Sequence, residues 1–177
     1  MWPYDRLLGT ALTVRLAPGD NFGAVVAPLL AQPGDVMVID TGHGDTAVVG
    51  GLIARVSQER SVVGCVVDGA VRDVAELERL RFPVTARAVT PRRSTKVEPA
   101  EIGGPIRCGG VLVHAGDIVL ADRDGVAFVA ATGAETAREA IHDAQRVERE
   151  ADDIAVLTAR FESVLRSATV KRLSRPG

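Results

Sequence analysis

Three observations predict an α/β fold. Up to about Leu80, β-branched runs alternate with apolar residues at helical spacing, in the order βαβαβα. From Pro83 to Val129, short apolar runs are separated by glycine, proline and aspartate turns, which adds a mostly β layer. From Ala134 to about Leu165 a single apolar seam recurs every three or four residues, the pattern of a long helix.

Gly9 to Leu16 is the first predicted strand, closed by the turn Pro18-Gly19-Asp20-Asn21. Gly23 to Leu30 is a short apolar helix. Pro33-Gly34-Asp35 turns into the strand Val36 to Ile39, followed by Asp40 and the loop Thr41-Gly42-His43-Gly44. A helix is expected from about Thr46 to Glu59, because Val49, Leu52, Ile53 and Val56 share a face. Val62 to Val67 is a continuous β-branched run and therefore a buried strand. Asp68-Gly69 is expected to turn the chain into a short helix from Asp73 to Leu80. Further strands are Val84 to Val89, Val111 to His114 and segments within Ile118 to Val129, with Asp122-Arg123-Asp124-Gly125 as a hairpin turn. The seam of the last helix comprises Ala137, Ile141, Ala144, Val147, Ala151, Ile154, Leu157, Phe161 and Leu165. The expected division is an α/β domain over 1–132 and a helical extension over 133–177.

Composition excludes several functions. Apolar residues make up 46% of the 177-residue chain, too many for disorder. Net charge is -2 and aromatics are 3%, so neither a phosphate-tracking basic surface nor a base-stacking platform is present; no nucleic-acid partner is expected. No run reaches the ~18 apolar residues of a membrane span, and Met1 to Arg6 lack a signal-peptide pattern. A cytoplasmic location is expected. The two cysteines, Cys65 and Cys108, have no metal-ligand spacing. Only two lysines occur, Lys96 and Lys171, and neither lies in an apolar run, which disfavours Schiff-base chemistry.

Three features converge between Gly42 and Glu76. Gly50-Gly51 permits close backbone approach, and a helix starting there would offer the N–H groups of Leu52 and Ile53 to a carboxylate. The competing reading is tight helix packing. Arg72 follows a buried strand, where open α/β sheets place ligands, and an arginine there can clamp a carboxylate; a surface ion pair is the competing reading. Asp73 and Glu76 share the first turn of one helix, where a divalent cation would relieve their repulsion. The same D-x-x-E is also a capping box, with Asp73 as N-cap and Glu76 reaching back. Taken singly, each feature favours its structural reading. His43, His114 and His142 are weaker candidates, Asp122 and Asp124 are turn formers, and Glu148, Glu150, Asp152 and Asp153 are a solvated helix face.

The spacing of Gly51, twenty residues, Arg72-Asp73, two residues and Glu76 resembles the RraA-like family. That family includes 4-hydroxy-4-methyl-2-oxoglutarate aldolases and regulators of ribonuclease activity. Pro18-Gly19-Asp20-Asn21, Pro33-Gly34-Asp35-Val36, Asp68-Gly69-Ala70-Val71, Cys108-Gly109-Gly110 and Asp124-Gly125-Val126 extend the resemblance from about Gly9 to Val129. It implies a swivelling β/β/α-type fold, a homotrimer or hexamer, and a small 2-oxo acid substrate. It also implies a Mg²⁺ (or Mn²⁺) cofactor. In that picture Arg72 binds the pyruvyl end, Asp73 and Glu76 hold metal, and Gly50, Gly51, Leu52 and Ile53 cradle the carboxylate. Characterised aldolases carry aspartate where this chain has Gly51; the subgroup with glycine there carries its acid at the position of Glu76.

The implied activity is a metal-dependent lyase that cleaves 4-hydroxy-4-methyl-2-oxoglutarate-type substrates to pyruvate and decarboxylates oxaloacetate. The alternative is a non-catalytic regulator that binds a ribonuclease or RNA helicase. A methyltransferase ranks last, because no glycine-rich loop for its cofactor is apparent. Arg87, Arg92 and Lys96 are candidates to read the far end of a substrate.

Overall fold

A computed structural model of the protein describes residues 6–150 and 154–167. Its fold is mixed α/β, as the sequence predicts. The first unit ends at Ala134 and is built on one eight-stranded sheet. Strands β1 (Leu7–Arg15), β2 (Asp35–Asp40), β3 (Ala47–Val49), β4 (Gly64–Val71) and β5 (Val84–Val89) carry its parallel part. Helices α1 (Phe22–Leu30), α2 (Gly51–Glu59) and α3 (Val74–Leu80) connect them. The short β6 (Glu101–Ile102) joins β1 antiparallel, and β7 (Ile106–Cys108) and β8 (Val111–Val113) form a separate hairpin. Strands β9 (Ile118–Ala121) and β10 (Val126–Val129) extend the sheet beyond β1 as a second hairpin.

Side-chain alternation divides the core in two. Met37 and Ile39 of β2 and Cys65, Val67 and Val71 of β4 face Ala24, Ala27, Ala54 and Leu77 from the three helices. Val36, Val38 and Val66 face the other way and pack with Ile106, Cys108 and Val113 of the hairpin. A sheet covered on both faces needs consecutive apolar strand residues, which explains the unbroken runs in β2 and β4. Both cysteines are buried and free, and burial pushes the Cys108 thiol up to about 12, so it is a packing residue.

Three expectations are corrected. The helix predicted from Thr46 begins at Gly51, because Ala47, Val48 and Val49 are buried and pair with β4. Gly50 is extended and separates strand from helix. Asp68-Gly69 is no turn but lies inside β4. Gly69 backs onto Thr41, whose side chain would meet an added Cβ at 2.5 Å. Asp68 turns its carboxylate to Arg87 and to the Gly109 N–H at 2.7 Å, which fastens the β7–β8 hairpin to the sheet. That hairpin's turn uses Gly109 and Gly110, both at positive φ (61° and 83°), and sequence patterning missed β7. The predicted last helix is helical over its described parts, α4 (Ala134–Glu150) and α5 (Ile154–Ser167). These belong to a second unit that starts at Glu135. Ile141 and Phe161 of the predicted seam are exposed. Ala151, Asp152, Asp153 and Lys171 lie outside the described residues, as do Met1 to Asp5. Among the described residues no helix is long and apolar enough to cross a membrane.

Asp20 organises a long-range junction. Its carboxylate is 2% exposed as a residue. It accepts the first helical N–H of α1, from Phe22, at 2.7 Å. It also accepts the Thr95 hydroxyl and the Val97 N–H, both at 2.7 Å, and the Glu98 N–H at 3.3 Å. Burial alone would raise its pKa; the hydrogen bonds outweigh burial and bring it down to about 2. A carboxyl lowered on folding stabilises above its unfolded pKa and loses that contribution as pH falls through its folded value. The window here therefore runs from about pH 4 down to about 2. Asp20→Asn is expected to cost about 2 kcal/mol at pH 7. Urea melts of variant and parent should converge as pH falls through that window.

Candidate active site

Three parallel strands end in one row. Val49 of β3 lies opposite Val71 of β4, and Val71 lies opposite Val89 of β5. The residues that follow are therefore Gly50, Arg72 and Thr90, side by side at the carboxyl end of the sheet, where α/β folds place ligands. Backbone bonds lock the row: Arg72 N–H to the Val49 carbonyl at 3.0 Å, and Thr90 N–H to the Val71 carbonyl at 2.9 Å.

The glycine pair makes room for side chains. A Cβ on Gly50 would meet Asp73 Oδ2 at 2.5 Å and Arg72 Cγ at 3.0 Å. One on Gly51 would meet Glu76 Cγ at 2.5 Å. The packing reading of these glycines is thus replaced by a closer one: bare backbone receives Arg72, Asp73 and Glu76. The first helical bond of α2 runs from Ala54 N–H to the Gly50 carbonyl at 3.1 Å. The N–H groups of Leu52 and Ile53 precede it, so they are orphan donors of a helix start.

Asp73 does not cap its own helix. Its backbone is left-handed (φ 57°, ψ 39°) and no side-chain cap bond forms on α3. Instead Oδ2 accepts the Gly51 N–H of α2 at 3.1 Å. A non-glycine residue in this region costs energy, and such residues cluster at functional sites. Arg72 Nε lies 3.5 Å from the same oxygen, a loose contact between partly exposed groups.

Nor does Glu76 close a capping box. One oxygen accepts Arg55 Nε at 2.9 Å, is met by Arg55 Nη2, and accepts Arg79 Nη2 at 2.8 Å; the other accepts Arg79 Nε at 2.8 Å. Arg79 first, and Arg55 second, hold its carboxyl at about 2. Glu76 is therefore a permanent anion, and both of its oxygens are committed to arginines.

An open cleft of about 550 Å³ lies over the row, lined by Arg72, Asp73, Val89, Thr90, Pro91 and Arg93. A second, apolar depression of about 220 Å³ lies between α3 and β5 and shares only Val89 with it. Among the described residues no group of three or more His, Cys, Asp or Glu converges as a metal cage. A Mg²⁺ ion needs none, since one or two carboxylates suffice when water and substrate oxygens complete its shell. Asp73, a hard oxygen donor facing the cleft, fits that requirement. Glu76 does not line the cleft, and its oxygens are bonded to Arg55 and Arg79.

The other sequence candidates lie elsewhere. Arg87 pairs with Asp68, and Arg92 with Asp45. Lys96 is not among the residues that line the cleft. His43 is an exposed residue of a left-handed loop (φ 64°), His114 is exposed beside Asp117, and His142 is exposed on α4. Asp122 accepts the N–H groups of Asp124 and Gly125, as a turn former does. The Glu148 and Glu150 side chains lie outside the described ones. Sequence reading missed Arg93. The signal was available in part, because residues after a strand parallel to β4 share its carboxyl-end cleft.

Fold and strand-end site together define an α/β protein with an arginine–carboxylate pair over a glycine-opened helix start. Residues 1–128 match the RraA-like family, described as Aldolase/RraA. The chain belongs to that family. A 4-hydroxy-4-methyl-2-oxoglutarate aldolase of Thermus thermophilus is 38% identical over 124 residues, covering 68% of this chain and 74% of the relative. A Halalkalibacterium halodurans protein, provisionally given the same name, is 39% identical over 126 residues. The match covers 71% of this chain and only 60% of that relative's length. Among solved structures, the RNA-processing inhibitor RraA of Thermus superposes with a TM-score of 0.64 at 36% identity. That superposition covers 71% of this chain and 77% of the other. RraAS2 of Streptomyces coelicolor gives 0.75 at 26% identity, covering 86% and 80%.

The contact between Gly51 and Glu76 is directly testable. Gly51→Ala should cost ~1–3 kcal/mol, the usual range for overpacking. Adding Glu76→Ala should recover part of the loss. A double-mutant cycle by chemical denaturation measures the coupling.

Proposed function

We propose that the protein is a divalent-cation-dependent lyase acting on short 2-oxo acids, releasing pyruvate by retro-aldol cleavage or by decarboxylation of oxaloacetate. One observation carries this reading: Arg72 and Asp73 line one strand-end cleft, and Asp73 bonds the Gly51 N–H at the start of α2. The aldolase name of relatives at 38–39% identity supports it.

The chain's groups suit the chemistry. Arg72 pairs with the carboxylate of the 2-oxo acid, and the helix-start N–H groups of Leu52 and Ile53 are donors suited to the same anion. In decarboxylation the C3–C4 bond breaks, CO₂ leaves, and the electron pair becomes the enolate of pyruvate. In the aldol case the 4-hydroxyl gives its proton to water as the same bond breaks, and a carbonyl product departs; in both cases the enolate then takes a proton from water at C3 and leaves as pyruvate. Either way negative charge grows on the former keto oxygen, and Arg72 is positioned to stabilise it. A bound divalent cation, held by Asp73, would supply further positive charge at that oxygen. Glu76, fixed as an anion by two arginines, keeps Arg55 and Arg79 in place beside Gly51 and does not shuttle protons near neutral pH.

A second reading, a protein that inhibits an RNA-processing enzyme, draws on the likeness to the Thermus RraA structure. It predicts capture of such an enzyme and no turnover.

The lyase reading is tested with oxaloacetate and Mg²⁺ or Mn²⁺. Pyruvate release should stop on chelation and return with added metal. Arg72→Ala and Asp73→Ala should each lower kcat/KM by about 100-fold or more. Calorimetric Mg²⁺ binding should vanish in Asp73→Ala and persist in Arg72→Ala. Absence of turnover with every divalent metal tried would remove this reading.

A further inference from the structure

The segment after β5 forms a strap across the strand-end row. Thr90 starts beside Val71 of β4. Three residues later Arg93 forms a parallel bridge with Ala47 of β3, whose other neighbour is Ala70 of β4. The strap therefore crosses the carboxyl end of β4 and reaches the far side of β3. The Ala47 N–H donates to the Arg92 carbonyl at 2.9 Å, and the Ser94 hydroxyl to the Ala47 carbonyl at 2.9 Å. Beyond Ser94 the strap is fastened at Asp20, which takes the Thr95 hydroxyl and the Val97 and Glu98 N–H groups. Thr95 N–H also donates to the Gly19 carbonyl, and Asn21 N–H to the Thr95 carbonyl.

This crossing carries Arg93 to the cleft that holds Arg72 and Asp73. Arg92 turns to Asp45, whereas Arg93 has no ion-pair partner among the described residues. Two arginines and one carboxylate line the cleft, and that carboxylate is already bonded to the Gly51 N–H. The cleft thus presents two cationic groups, one at the strand-end row and one on the strap. Such an arrangement suits an anion charged at both ends. The volume of about 550 Å³ is ample for a short-chain diacid.

Resting on the lyase reading above, we propose that Arg93 binds the far carboxylate of a dicarboxylic substrate whose 2-oxo acid end lies on Arg72, and that Asp20 is the positioning residue that holds the strap. Arg87 and Arg92 are paired with Asp68 and Asp45, and Lys96 does not line this cleft.

The test compares oxaloacetate with 4-hydroxy-2-oxopentanoate, an aldol that lacks the second carboxylate. Arg93→Ala should lower the ratio of their kcat/KM values about tenfold, chiefly through KM for oxaloacetate, and Arg93→Lys should restore part of it. Asp20→Asn should move the same ratio in the same direction; a purely structural role would lower both substrates alike. An equal loss on both substrates, or no loss, in Arg93→Ala overturns the assignment. If the parent protein turns over neither substrate, the lyase reading fails. Calorimetric titration with oxaloacetate and with pyruvate, Mg²⁺ present, then decides Arg93 alone. A preference for the diacid that disappears in Arg93→Ala upholds it, and the absence of any preference, or one that survives, overturns it.

Discussion

Gly50 and Gly51 have no side chains, and the space this leaves is filled by Arg72, Asp73 and Glu76 from the next strand–helix connection. The rest of the site follows from that contact. Asp73 reaches the Gly51 N–H only because nothing projects from Gly50. Its left-handed backbone turns the carboxylate away from its own helix and back across the sheet end. Glu76 occupies the position a side chain at residue 51 would take, so the two positions cannot both carry a long side chain. This gives a steric reason for the pattern in which an acid stands either at the position of Gly51 or at that of Glu76.

The register of the sheet is the second constraint. Parallel pairing aligns Val49, Val71 and Val89, so the connections after β4 and β5 line one cleft, and Asp73 links it to the Gly51 N–H after β3. On the opposite face the half-buried Asp68 fastens the β7–β8 hairpin through Gly109. Burial would raise the Asp68 pKa, but Arg87 and the Gly109 N–H lower it, and the carboxylate stays charged. An Asp-Gly pair that looks like a turn is in this way a clamp between two layers of β structure.

Much of this arrangement was legible in the sequence because it depends on local chemistry. The β-branched runs of β2 and β4, the turns around Pro33 and Asp122, and the spacing of Gly51, Arg72, Asp73 and Glu76 are all local signals. What escaped depends on distant partners. Val48 and Val49 share a helical period with Leu52 and Val56, yet they extend because β4 offers a neighbouring edge. Gly69 reads as a turn residue, but Thr41 needs the missing Cβ. Asp73 reads as an N-cap, but its acceptor is spent on another helix. Arg93 carries no local mark, since its place over the cleft is set by the bridge to Ala47, forty-six residues earlier.

The strap between Thr90 and Glu98 separates two duties within one cleft. On the lyase reading the strand-end row carries the chemistry, and the register of three parallel strands fixes its backbone. The strap is exposed, short and fastened mainly by backbone groups and one aspartate, so its outward residues are under little packing constraint. On that reading, substitutions there would alter what is admitted without disturbing how it reacts. A lineage built on this scaffold would then inherit the reaction with the sheet, while substrate preference would be free to diverge in a loop.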